Sequence, residues 1–103
     1  MILKDGVVIA GLDIRMRPVL IASEKLWIKY GQNGVTVTSA VDGVHSAGSL
    51  HYYGLALDLR TPYFTPEEAS SIGAELAVEL GEDYDVVVHK THIHVEYDPI
   101  WRD

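Results

Sequence analysis

An α+β fold is predicted, a small and mostly antiparallel sheet with two helices packed on one face. Three observations predict it. Two segments carry apolar residues at helical spacing, and four or five short runs are β-branched or alternate apolar with polar. These elements come in mixed order rather than as a regular strand–helix repeat. A chain of 103 residues has room for one core, so residues 1–103 are read as a single domain.

Gly6 to Asp13 contains Val7-Val8-Ile9, read as a short strand or extended arm. Pro18 suits the first turn of a helix, where its missing N–H costs nothing. Val19, Leu26 and Tyr30 then fall near one face, Leu20 and Trp27 widen it, and Gly31 is the stop. Val35-Thr36-Val37-Thr38 is a β-branched strand, Val41 to Gly48 a loop, and Leu55 to Leu59 a second strand. Thr65-Pro66-Glu67-Glu68 forms a capping box with proline at the first helical position. Ala69, Ile72, Leu76 and Leu80 continue that helix, and Gly81 ends it. Tyr84 to Val88 and His92 to Tyr97 form a hairpin around a Lys90-Thr91 turn.

Composition excludes several classes. Hydrophobic residues at 48% with charged residues at 22% argue against disorder. With no cysteine, neither a disulfide framework nor a thiolate zinc site can form. Eight Lys and Arg against fifteen Asp and Glu leave a net charge of -7, which disfavours a nucleic-acid partner. Glu24, Lys25 and Lys29 interrupt the longest apolar stretch, Pro18 to Tyr30, so no membrane span is expected. Met1 to Gly6 lacks the pattern of a secretory signal. A monomer is expected, and the localisation stays open.

The five histidines cluster. His45 and His51 flank one loop; His89, His92 and His94 crowd the final hairpin. Alternation on a strand puts Ile93, Val95 and Tyr97 on one face and His92, His94 and Glu96 on the other. A His-x-His on a strand delivers two nitrogen ligands to one side. On the earlier strand Leu55, Leu57 and Leu59 share a face, with Ala56 and Asp58 on the reverse. A carboxylate between leucines needs a partner, because a bare buried charge is very costly. A cation shared by Asp58 and nearby imidazoles meets that need. His51 can fold back toward it, and Gly54 lets the backbone turn or approach closely. Three ligands of the type His, Asp, His leave a fourth tetrahedral position open, as in a catalytic zinc site, where bound water ionises near neutral pH.

Ser49-x-His51, six residues, then Asp58, followed by His92-x-His94, resembles the zinc D-Ala-D-Ala peptidase superfamily. That group includes VanX/VanY-type carboxypeptidases, penicillin-insensitive murein endopeptidases and phage lysis enzymes, and the metal-binding domain of hedgehog proteins shares its fold. The resemblance covers roughly Val35 to Pro99. It implies Zn²⁺ held by His51, Asp58 and His94. His92, with His89, is implied as the catalytic neighbour. Ser49, His45 and Glu96 stand as substrate-side or outer groups. The reverse assignment, His92 as ligand and His94 as neighbour, stays open, because strand register cannot be read from sequence.

Two departures matter. The family's acidic base, three residues before the final ligand, is Thr91 here, or His89 if His92 is the ligand. The His89, His92, His94 run is closer to the endopeptidase branch. The family's carboxylate-gripping Arg is absent from Val41 to Gly48, and Arg60 lies past Asp58, which also favours an endopeptidase. The resemblance implies a zinc peptidase cutting peptidoglycan next to a D-amino acid, in a phage or prophage setting. The alternative is a catalytically inactive, zinc-binding module that grips the cell wall or rides on a virion.

Overall fold

A computed structural model describes residues 1–40 and 54–99 of the chain. In order, the elements are β1 (Ile2–Leu3), α1 (Arg17–Lys29), β2 (Thr36–Ser39), β3 (Ala56–Arg60), α2 (Pro66–Leu80), β4 (Tyr84–Val88) and β5 (His92–Tyr97), with a 3₁₀ turn at Ile14–Met16 before α1. They form a five-stranded sheet in the order β1-β2-β3-β5-β4. The expected α+β architecture holds: two helices pack on a small mixed sheet.

Local chemistry accounts for the helices. In α2 the Thr65 hydroxyl accepts from the Glu68 N–H at 3.1 Å, and the Glu68 carboxylate accepts from the Thr65 N–H at 2.9 Å, the reciprocal capping box read in the sequence. Pro18 sits in the first turn of α1, and Gly81 caps α2 at φ 86°. Surface pairs Lys25–Glu79 and Lys29–Glu75, both at 2.6 Å, join the two helices. Exposed pairs of this kind contribute little stability.

The edge of the sheet differs from the sequence reading. Of the two readings of Val7-Val8-Ile9, strand or arm, the structure shows the arm: no strand forms, and Val7 and Ile9 pack on the core. The edge strand is Ile2–Leu3, parallel to β2, with the Ile2 N–H donating to the Val35 carbonyl at 2.8 Å. Pairing partners rather than apolar content decide which stretch becomes a strand. One parallel crossover through α1 therefore adjoins an otherwise antiparallel sheet.

Apolar burial separates the two faces. Val37, Leu57, Leu59, Ile93 and Val95 are fully buried under Val19, Trp27, Ile72 and Leu76 of the helices. Gly54, at φ 73°, enters β3 where a Cβ would collide with the Gly11 carbonyl. Its own carbonyl accepts from the Asp13 N–H at 2.9 Å. Both uses foreseen for this glycine, the turn and the close approach, are therefore present. The Trp27 indole N–H donates to the Arg60 carbonyl at 3.0 Å, fixing the end of β3 against α1.

Candidate metal centre

The antiparallel β3–β5 pairing decides which polar groups meet. Asp58 lies opposite His94, Ala56 opposite Glu96, and Arg60 opposite His92. Directly opposed side chains share a face, so Asp58, Arg60, His92, His94 and Glu96 all project from the side away from the helices. Ala56 carries only a methyl group and leaves room among them.

His94 lies between two carboxylates. Its Nδ1 is 2.8 Å from Asp58 Oδ1, and its Nε2 is 2.7 Å from Glu96 Oε1. A neutral imidazole carries one N–H and can satisfy only one of these contacts. Both are satisfied by imidazolium, or by a proton on Nε2 and a metal cation at Nδ1. Asp58, and after it Glu96, raise the His94 pKa above its ordinary value, against the opposing effect of burial.

The donor set suits a cation. Zinc ligands at tetrahedral geometry stand roughly 3.3 Å apart. His94 Nδ1 is 2.8 Å from Asp58 Oδ1, and His92 Nε2 is 3.8 Å from the same oxygen, so either imidazole stands near enough to share a cation with that carboxylate, His94 being the nearer. Behind His94, Glu96 Oε1 lies 2.7 Å from Nε2, the position of the usual outer carboxylate partner of a metal-bound imidazole. Behind His92, Nδ1 lies 3.2 Å from the Thr91 hydroxyl. His89 also reaches the cluster. Its ring stacks on His92 at 4.7 Å between centroids and meets His94 edge-on at 6.4 Å.

Of the residues singled out in the sequence, the structure brings together Asp58, His89, His92, His94 and Glu96. His45, Ser49 and His51 lie outside the described residues. Glu96, read from the sequence as a substrate-side or outer group on the same strand face, sits in direct contact with His94. Lys4 was missed. It lines one cleft with Thr38, Ser39, Asp58, Arg60 and His92, and only the unforeseen β1–β2 pairing brings it there. Asp85, Glu96 and Asp98 also approach one another, with carboxylate oxygens within 4.8 Å. Burial, followed by the Asp98 contact, raises the Asp85 pKa.

Among the described residues, no helix is long and apolar enough to cross a membrane. No solved structure matches the chain. The model of the hedgehog amino-terminal signalling domain matches residues 12–96, a span that takes in α1, the whole of β2 to β4 and the Asp58–His94 cluster. The chain belongs to the hedgehog amino-terminal signalling domain family, within the zinc peptidase-like fold clan.

Proposed function

We propose that this protein is a zinc-dependent peptidase acting on peptidoglycan, cutting a peptide bond next to a D-amino acid. The observation that carries the reading is the convergence of Asp58, His92 and His94 on one sheet face, with Glu96 behind His94. The VanX/VanY-type and endopeptidase branches are the finer relatives to which the Ser49-x-His51 to Asp58 spacing points.

Asp58 and His94 would hold the ion, with His51 as the third ligand by the family motif. When bound, zinc supplies Lewis-acid polarisation of a carbonyl and a water. Glu96 keeps the His94 proton on Nε2, which leaves the Nδ1 lone pair free to face Asp58 and the ion. His92 stands beside the same carboxylate oxygen, where it would take a proton from the attacking water and give it to the leaving amine as the peptide C–N bond breaks, with His89 stacked against its ring.

The decisive experiment combines metal analysis with turnover. Protein purified without chelator should carry one zinc and release soluble fragments from purified peptidoglycan. His51→Ala and Asp58→Ala should abolish both. A second reading, a zinc-binding module without turnover, is favoured by the match to a signalling domain and by Thr91 standing where many zinc peptidases have an acid. Stoichiometric zinc with no fragment released would select that second reading.

A further inference from the structure

The sheet ends differently at its two edges. β1 closes one edge with two residues, and so short a strand offers little to pair with. β4 closes the other with five, Tyr84–Val88, in unbroken register with β5. It has no proline, lysine or bulge, the devices that usually guard such an edge, and three of its residues are consecutive valines. The His89 N–H donates to the His92 carbonyl, and the Asp98 N–H to the Asp83 carbonyl, both at 2.8 Å. Antiparallel pairing alternates, so Asp83, Asp85, Val87 and His89 face β5, whereas Val86 and Val88 turn both backbone groups outward. Among the described residues nothing bonds to those outward groups. Val87 and Val88 are 45% and 43% exposed.

The geometry points to a docking edge at β4 that takes an extended segment of another polypeptide as an added antiparallel strand, with a lysine or arginine of that segment beside Asp85. Strand addition satisfies the outward N–H and C=O groups whatever the partner's sequence, and side chains then select the partner. Antiparallel pairing is the more stable kind per residue. Asp85 and Val87 lie opposite Glu96 and His94, on the same sheet face. Carboxylate oxygens of Asp85, Glu96 and Asp98 lie within 4.8 Å of one another, so a cation beside Asp85 meets three acids. Two positions along, Val87 suits an apolar neighbour. The layer above the sheet decides against a second copy of this chain. α2 packs on β4 so closely that a Cβ on Gly73 would stand 2.5 Å from Val88 Cγ2. Pairing through the same edge would set the α2 helices of two copies one strand spacing apart, about 4.8 Å, where packed helices need roughly 8–10 Å. A bare extended segment carries no such layer. β5 lies between this edge and the strand of Asp58, so the inference is independent of the peptidase reading.

The probe is acetyl-Thr-Val-Thr-Lys-Thr-Val-amide, whose valines and lysine share one face when extended. Added to the full chain, it should slow hydrogen exchange at the Val86 and Val88 amides, followed by NMR. Replacing its lysine by glutamate should weaken binding about fivefold or more, and Asp85→Lys should reverse that preference. N-methylation of the probe's two inner threonines should abolish binding, since an antiparallel strand turns those N–H groups toward β4. Val86→Pro removes an outward N–H that β5 does not use, so it should keep the native melting curve and lose the probe. Where that variant fails to fold, the methylated probe decides in its place. Unchanged exchange at Val86 and Val88, equal binding of the lysine and glutamate probes, binding that survives methylation, or binding by folded Val86→Pro overturns the docking edge. So does protection of the same amides that rises with protein concentration alone, which would assign the edge to a second copy.

Discussion

The two faces of β3 and β5 are made from the same eleven residues, taken alternately, yet they do opposite work. Toward the helices, Leu57, Leu59, Ile93 and Val95 are sealed from water. On the reverse, the side chains of Asp58, His92, His94 and Glu96 keep 19–30% of their surface exposed; His94 bonds to Asp58 and Glu96, and His92 stands 3.8 Å from Asp58. The first face is held by burial, which is non-directional and tolerates no vacancy. The second is held by directional contacts between ionisable groups, which need a proton or a cation to neutralise them. Stability and chemistry are thus separated by a single residue of register, and each substitution should disturb one without the other.

The largest effect is expected on the buried face. Leu59→Ala should lose about 2–5 kcal/mol of stability, read by chemical denaturation, because the helices cannot close over the gap. The same variant, below its transition, should still bind zinc; loss of zinc by the folded variant would show that the two faces are coupled. Next, on the polar face, His94→Ala should abolish zinc binding while His92→Ala keeps zinc and loses rate, both with melting curves near that of the native protein. The opposite pattern would exchange their roles. A smaller effect is expected one contact further out. Glu96→Gln should weaken zinc about 10- to 100-fold by loosening the His94 orientation, measured by competition with a chelator.

The smallest effect lies on neither face. Asp13 caps the 3₁₀ turn and pairs with Arg15 at 2.8 Å; the Arg15 side chain first, and its backbone N–H next, lower the Asp13 pKa from 3.8 to about 2. A carboxyl depressed on folding stabilises above its unfolded pKa and loses that contribution as pH falls through the folded one. The native protein should therefore lose this contribution between about pH 4 and pH 2, and Asp13→Asn should flatten that limb of a melting-temperature profile. An unchanged profile would mean that the Arg15 pairing adds nothing in solution.

Much of this was legible from sequence because it depends on near neighbours. The capping box at Thr65–Glu68, the Gly81 stop, the His92–Tyr97 alternation and the isolation of Asp58 among leucines each follow from residues a few positions apart. The His89–His94 crowding came from the same source. Edge pairing was not legible, since Ile2–Leu3 becomes a strand only because β2 offers it free carbonyls and N–H groups, and Val7-Val8-Ile9 is more strand-like by composition.

Sequence by itself determined the alternation that divides apolar from ionisable residues on two strands, and hence that a polar, histidine-rich face exists. Only the tertiary structure decided the register that sets Asp58 opposite His94 and Arg60 opposite His92, and the parallel edge that brings Lys4 into the same cleft. The reason is physical. Periodicity along a strand is local, whereas the partner across a sheet is chosen by closing long loops around a shared core.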